Sequence, residues 1–183
     1  MYDIPKESKI ILYVGNIGRR KNQGQLIRAF NYLPEEIANN TYVLFLGSNQ
    51  ESDYKISDFA ERTSFANHFI ACGVVDKAFV PHYYEQGDAV ALMSMSEGFG
   101  LSLIEGMHFG LPAMSFKDVD AYDDIYDECA MVGVEEHFDN AVAEGILRLI
   151  NTEWDSKTIK DYSKKFESQN MAKQYVDVYQ RTI

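Results

Sequence analysis

The sequence predicts a single α/β domain with a doubly wound parallel sheet, on the strength of three observations. Short apolar segments alternate along the chain with stretches of helical periodicity. The apolar segments have no polar face, which is typical of strands that helices cover on both sides, and an intervening helix favours parallel pairing. The chain has 183 residues, 46% of them hydrophobic, which is enough for one full core over residues 1–183.

Each element of this alternation follows from a local pattern. Short apolar runs predict strands at residues 10–14, 42–46, 68–71, 89–93 and 112–116. Helical periodicity predicts helices at residues 23–32, 53–63, 78–85, 101–109, 121–127, 140–150 and 156–166. Gly110 and Pro112 end the fourth of these helices, because glycine caps a helix and proline does not continue one.

A further amphipathic helix is predicted at about residues 168–181. Met171, Tyr175, Val178 and Tyr179 fall on one stripe of a helix by their spacing. An apolar stripe on an exposed helix needs a partner, so self-association through this helix, giving a homo-oligomer, is one expectation.

The charge balance excludes some partners. The chain carries 17 basic and 28 acidic residues, a net charge of −11, which opposes binding to nucleic acid and to anionic lipid surfaces. Cys72 and Cys129 are far apart and indicate neither a disulfide framework nor a zinc ribbon. With no secretion signal and no apolar run of about 20 residues, we expect a cytoplasmic chain without membrane insertion.

The loop after the fourth predicted strand has the features of an anion site. In doubly wound sheets, ligands bind beyond the carboxyl ends of the strands. Gly98 and Gly100 let the backbone approach a ligand, and the N–H groups of Phe99, Gly100 and Leu101 lie at the predicted start of a helix. Glu105, about one turn into that helix, can accept hydrogen bonds from a vicinal diol such as a ribose.

The same loop and helix carry a resemblance to a known family. The sequence Glu97-Gly98-Phe99-Gly100-Leu101, followed by Glu105 and then by Gly110-Leu111-Pro112, resembles the donor-site signature of the family 4 retaining glycosyltransferases, also called glycosyl transferases group 1. The resemblance implies a Rossmann-like domain that is one half of a GT-B fold. It also implies that Glu97 orients the donor sugar as the catalytic residue and that the substrate is a nucleotide-diphosphate sugar.

Two further segments resemble the same family. Gly73-Val74-Val75-Asp76 is similar to the loop whose backbone meets the nucleobase, which makes Val75 a base-contact candidate, although a buried valine at a strand end is nearly as good an interpretation. The segment from Gly15 to Gln23 is similar to the phosphate-binding loop of the family, and Lys21 matches the phosphate-binding lysine.

The first loop departs from the family pattern at two positions. Asn16 stands where the family has arginine, and Asn22 stands where it has glycine. Arg20 or Arg19 is expected to replace the lost cation. The donor-binding residues predicted in this way are Gly15, Asn16, Arg20, Lys21, Val75, Gly98, Phe99, Gly100, Leu101 and Glu105.

No metal or cofactor is expected. Asp118-Val119-Asp120 has the form of a metal-binding motif, but one such triplet is expected by chance in a chain this acidic. The four histidines have no metal-ligand spacing, and relatives with the GT-B fold generally hold the diphosphate without a dedicated metal.

Three interpretations of function remain open. In the first, the chain binds a nucleotide sugar as the donor half of a retaining enzyme that transfers a hexose, while the missing N-terminal domain binds the acceptor, so that the isolated domain is inactive. In the second, it is a truncated, non-catalytic interaction module that acts through its terminal helix. A dinucleotide-dependent oxidoreductase is the weakest, because no Gly-x-Gly-x-x-Gly follows the first predicted strand.

Overall fold

The computed structural model describes residues 2–170 and residue 172. They form six strands: β1 (Lys9–Val14), β2 (Thr41–Leu46), β3 (Phe69–Gly73), β4 (Ala89–Leu92), β5 (Ala113–Phe116) and β6 (Met131–Val134). The helices are α1 (Gln23–Ala29), α2 (Glu35–Asn39), α3 (Ile56–Ala60), α4 (Val80–Gln86), α5 (Leu101–His108), α6 (Ala121–Ile125), α7 (Asp139–Asn151) and α8 (Ser156–Ser163). None of the helices in this part of the chain is long and apolar enough to cross a membrane.

The six strands form one sheet in the order β3-β2-β1-β4-β5-β6, and every neighbouring pair is parallel. The chain builds outward from β1 to β3 and then returns to place β4 on the other side of β1. This reversal leaves a crevice at the carboxyl ends of β1 and β4, where ligands bind in folds of this type. The predicted doubly wound parallel sheet is confirmed.

The core explains why the strands carry no polar face. β1 pairs with β2 over six residues, from Lys9↔Thr41 to Val14↔Leu46. Successive β1 residues point to opposite faces of the sheet, yet Ile11, Leu12 and Tyr13 are all buried, with exposed fractions of 1% or less. Helices therefore cover the sheet on both sides.

The structure differs from the predicted elements mainly in short segments. β6 and α2 were not predicted, because Gly133 interrupts the four residues of β6 and the five residues of α2 are too few to show a periodic pattern. The helix predicted at residues 53–63 is shorter, because Lys55 has an extended backbone (φ −110°, ψ 138°) and α3 begins only at Ile56. Residues 30–32 and 164–166 form 3₁₀ turns instead of the last turns of α-helices.

Most of the predicted terminal helix at about 168–181 lies outside the described residues. Ser168 to Asn170 are helical. Met171, Tyr175, Val178 and Tyr179, on which the predicted apolar stripe depends, are not among the residues that the structure describes.

Candidate functional site

A buried tyrosine joins the two loops that follow β1 and β4. The hydroxyl of Tyr13 donates to the carbonyl of Lys21 and accepts from the N–H of Met93 at 3.0 Å. Burial raises the pKa of Tyr13 far above its ordinary value, so the phenol stays neutral. A second link, from the N–H of Met95 to the carbonyl of Arg20 (2.8 Å), makes the two loops one unit.

Two positions, one beside the loop after β1 and one within it, tolerate few residue types. Gly47, at the end of β2, lies so close to this loop that a Cβ on it would stand 2.1 Å from the carbonyl oxygen of Gly15. Asn22 has a left-handed backbone (φ 55°, ψ 35°), which only glycine and, at modest cost, asparagine or aspartate commonly adopt. This conformation explains why asparagine can stand at Asn22 where the resemblance has glycine.

Lys21 and Glu97 lie in contact at the centre of the site. Their Nζ and Oε2 atoms are 2.5 Å apart, and the side chains are 13% and 16% exposed. The guanidinium of Arg20 lies 3.9 Å from the same Glu97 oxygen and donates to the carbonyl of Ser96 at 2.8 Å. Two cations therefore flank one carboxylate at this edge of the sheet.

The two adjacent arginines have different surroundings. Arg19 points away from Glu97 and pairs with Glu51 and with Asp53, at 2.7 Å from the latter. Its hydrogen bonds lower the pKa of Asp53. Asn16 is exposed and accepts from the Ser48 hydroxyl at 3.1 Å. Of the cations considered as replacements for the missing one, Arg20 is therefore the one that the fold brings to Glu97.

The start of α5 presents several backbone amides without partners in the described protein. Gly100 has a left-handed backbone (φ 68°, ψ 38°), and its carbonyl accepts from the N–H of Leu103 at 2.9 Å. Within residues 2–170, the N–H groups of Gly98 through Leu101 have no hydrogen-bond acceptor. A Cβ on Gly98 would meet no atom within 4 Å, so the backbone is open to a ligand. A cavity of about 330 Å³ lies here, lined by Val14, Lys21, residues 97–102 and Glu105.

Glu105 is held by a tyrosine on the neighbouring helix. The hydroxyl of Tyr84, on α4, donates to Glu105 Oε2 at 2.9 Å. Tyr84 is 2% exposed, and burial raises its pKa well above the ordinary range, so it remains a donor. A second groove of about 600 Å³ adjoins the first and shares Val14, Leu101 and Glu105 with it. Glu105 therefore stands where the two cavities meet.

Val75 lies apart from these two cavities. Its side chain is half-buried against the core and lines neither of them. Its N–H and C=O groups have no hydrogen-bond partner among the described residues. The loop after β3 therefore offers a free backbone donor and acceptor, but no side-chain contact to the rest of the site.

Asp118, in the acidic triplet, is held by a histidine. The Nε2 atom of His137 lies 2.9 Å from both carboxylate oxygens of Asp118, and the ring stacks on Phe116 with centroids 3.8 Å apart. Among residues 2–170 and 172, no group of three or more histidine, cysteine, aspartate or glutamate side chains is arranged to hold a metal ion.

Two tyrosines of the site were not among the predicted site residues. Tyr13 is the fifth of the six residues of β1, which is apolar after Lys9, and a buried phenol must find hydrogen-bond partners, which is a signal for a structural role. Tyr84 occurs on a helix with no periodic signal that connects it to Glu105, since the two are 21 residues apart. The structure brings together Lys21, Arg20, Glu97, the start of α5 and Glu105.

Comparison with known proteins identifies relatives along the whole described chain. The family model of the glycosyl transferases group 1 matches residues 2–166. An uncharacterized glycosyltransferase of Methanocaldococcus jannaschii is 25% identical over 182 residues, which is 96% of this chain and 46% of that protein. The O-antigen chain mannosyltransferase B of Escherichia coli is 24% identical over 171 residues, covering 92% of this chain and 45% of that one.

Solved structures agree in fold. The lipopolysaccharide outer core galactosyltransferase WaaB matches with a TM-score of 0.80 at 16% identity, over 100% of this chain and 53% of that one. Anabaena HepE, solved with UDP and glucose, matches with a TM-score of 0.76 at 18% identity, over 97% of this chain and 49% of that one. The predicted Rossmann-like half of a GT-B fold is confirmed. The chain spans about half the length of the curated relatives it matches.

Proposed function

The chain belongs to the glycosyl transferases group 1 family, and from this membership we propose that it is the nucleotide-sugar-binding half of a retaining glycosyltransferase that transfers a hexose. The observation that carries the proposal is the position of Glu105, which Tyr84 holds beside the unpaired amides at the start of α5. A carboxylate next to an anion site is the combination that a nucleoside diphosphate needs, since its ribose offers two hydroxyl donors and its diphosphate offers acceptors.

The diphosphate would be held by the loop before α5 and by Lys21. The N–H groups of Phe99, Gly100 and Leu101 supply hydrogen bonds at the positive end of the helix dipole. An ammonium group about 4 Å from a phosphate oxygen contributes about 4 kcal/mol at an effective dielectric near 20, before desolvation is subtracted. Such local attraction can outweigh the net charge of −11. Arg20, close to Glu97, would supply a second cation.

The nucleoside would extend from Glu105 toward the loop after β3. Glu105 accepts from the ribose hydroxyls, and the free backbone groups of Val75 are available to a base. HepE, which shares the fold, was solved in complex with UDP and glucose, and this supports a nucleotide sugar as the ligand. The donor sugar would then point toward Glu97.

In the proposed reaction the diphosphate is the leaving group, and the anomeric configuration is retained. Lys21 and the start of α5 stabilise the negative charge that develops on the diphosphate. Glu97 orients the sugar at the reacting carbon. The acceptor would be bound by a second domain, so we propose that this chain alone binds a nucleoside diphosphate and transfers no sugar.

A calorimetric titration tests donor binding. UDP and GDP are titrated into the wild-type chain, into Glu105→Ala and into Glu36→Ala, a matched control at an exposed glutamate on α2. We expect one of the two nucleotides to bind the wild-type chain. Glu105→Ala should weaken this binding by about tenfold, because two charge-assisted hydrogen bonds are lost, and Glu36→Ala should have no effect. Absence of binding to the wild-type chain, or equal binding by Glu105→Ala, would contradict the proposal.

A further inference from the structure

An aromatic contact connects the loop before α5, Gly98-Phe99-Gly100, to the C-terminal part of the described chain. The rings of Phe99 and Phe166 meet edge to face, with centroids 6.1 Å apart and an interplanar angle of 81°. Phe166 ends the 3₁₀ turn that follows α8. Phe99 stands between Gly98 and Gly100, so it is the one residue of this tripeptide whose side chain can anchor the loop.

Phe166 is itself held in place by its neighbours. Its ring meets that of Tyr162 at 5.8 Å, and the Tyr162 hydroxyl lies 2.9 Å from the carbonyl of Ile125 at the end of α6. The ammonium of Lys165 lies 3.9 Å from the centre of the Tyr162 ring and 4.7 Å from that of Phe166, close enough for a cation–π interaction with both. Phe99 therefore packs against a fixed ring.

The same support reaches the loop from a second side. A Cβ on Gly100 would stand 3.2 Å from the Cδ1 atom of Ile125, so α6 packs directly against the backbone of this glycine. Tyr162 links α8 to the end of α6 through its hydroxyl. The loop thus lies against two elements that are tied to each other.

We propose that Phe166 is a positioning residue for the loop that presents the amides of Phe99 to Leu101. Two glycines give this loop more backbone freedom than a tripeptide without glycine would have, and that freedom must be lost when an anion binds. By fixing Phe99, Phe166 reduces this loss and preorganises the amides. The nature of the anion rests on the proposed function, whereas the ordering of the loop does not.

Nuclear magnetic relaxation of backbone ¹⁵N nuclei tests the ordering without any ligand. We compare the wild-type chain with Phe166→Ala and with Phe166→Tyr, which keeps the ring. The order parameters of Gly98, Phe99 and Gly100 should fall from about 0.85 to below about 0.6 in Phe166→Ala and stay unchanged in Phe166→Tyr. If Phe166→Ala does not fold, Phe166→Leu, which keeps the apolar volume but not the ring, is measured instead. Unchanged order in the folded variant lacking the ring would overturn the proposal.

A comparison of UDP with uridine separates positioning from direct contact, because Phe166 also lines the groove beside Glu105. If Phe166 acts through the Gly98-Phe99-Gly100 loop, Phe166→Ala weakens the binding of UDP by about tenfold and that of uridine by less than about twofold, since only UDP uses the amides. Equal weakening of both ligands would show direct contact and overturn the proposal. Failure of UDP to bind the wild-type chain would instead remove the proposed function and leave the relaxation result to decide the positioning.

Discussion

The contact between Lys21 and Glu97 places a carboxylate on the cation that is proposed to hold phosphate. The two atoms are 2.5 Å apart and both side chains are largely buried. A diphosphate that approaches Lys21 therefore meets the negative charge of Glu97 as well. When a nucleoside diphosphate binds, Glu97 therefore repels the phosphates that Lys21 attracts. The two proposed roles are compatible only when the donor sugar lies between the two side chains.

Glu97→Gln should bind UDP more tightly than the wild-type chain. The amide keeps the size of the side chain but no longer repels the phosphates or occupies Lys21, so we expect a gain of about three- to tenfold, smaller at high salt. Glu51→Gln is the matched control, because it removes the same charge at the carboxylate that pairs with Arg19. Calorimetry in low salt measures both, and a gain in Glu51→Gln of equal size would assign the effect to net charge.

Lys21→Met should destabilise the fold by about 1–3 kcal/mol, because it leaves the Glu97 carboxylate, 16% exposed, without its nearest cation. The double variant Lys21→Met, Glu97→Gln should recover most of this loss, since the uncompensated charge is then gone. Urea unfolding of the three chains measures the free energies. A double variant as unstable as Lys21→Met would mean that packing of the lysine, not its charge, stabilises the fold.

At the scale of single residues, the motif could predict that Lys21 and Glu105 lie at one cavity, but not which of the two arginines lies near it. Arg19 and Arg20 are adjacent and chemically identical, so nothing local distinguishes them. Arg19 faces away because Glu51 and Asp53 lie beside it, and these acids are 32 and 34 residues distant along the chain. Such a contact depends on the folded sheet and cannot be predicted from the spacing of residues within the loop.

Two glycines, Gly98 in the loop before α5 and Gly106 within α5, have opposite surroundings and give a matched test. A Cβ on Gly98 meets nothing within 4 Å, whereas a Cβ on Gly106 would stand 2.4 Å from a methyl of Val90 in β4. We expect Gly98→Ala to change the free energy of unfolding by less than about 0.5 kcal/mol and Gly106→Ala to lower it by about 1–3 kcal/mol.

In UDP binding, by contrast, we expect the larger effect in Gly98→Ala. Gly98→Ala puts a methyl group into the space proposed for the diphosphate. It should weaken the binding of UDP by about tenfold and leave the free energy of unfolding unchanged. Thermal unfolding and calorimetry on the same samples measure the two effects. Wild-type affinity in Gly98→Ala would place the phosphates elsewhere.

At the scale of elements, the prediction succeeded where apolar residues predominate in a short run. The five predicted strands are present for this reason. β6 was not predicted, since its four residues include Gly133, and glycine is a weak strand former. The start of α3 could not be predicted either, because the extended backbone at Lys55 replaces the first helical turn that the composition favoured.

At the scale of the whole molecule, groups whose pKa is raised by folding make the free energy of unfolding depend on pH in the alkaline range. Burial and the neighbouring Asp127 carboxylate raise the pKa of Cys129 from 9.0 to about 11. Burial also raises the pKa of Tyr13 and Tyr84 above their ordinary 10.0. Because the unfolded chain releases these protons first, the contribution of Cys129 is complete below about pH 9 and is lost as the pH rises through 11, whereas that of the two tyrosines begins to be lost only above about pH 10.

Urea unfolding at pH 8, 9, 10 and 11 should therefore show a falling free energy above pH 9. Cys129→Ala removes one of the groups, so its loss between pH 9 and 11 should be smaller than that of the wild-type chain. An identical loss in Cys129→Ala would mean that the tyrosines alone produce the dependence.

The position of β1 beside β4 also has a consequence for biosynthesis. β1, β2 and β3 are complete by Gly73, but β1 gains its second neighbour only when Ala89 and Val90 have been made. Until then the growing polypeptide exposes, at the future centre of the sheet, an open and apolar strand edge of the kind that pairs with other chains. The edge of β1 that β4 covers in the folded chain is therefore also the place where a prematurely terminated chain would aggregate.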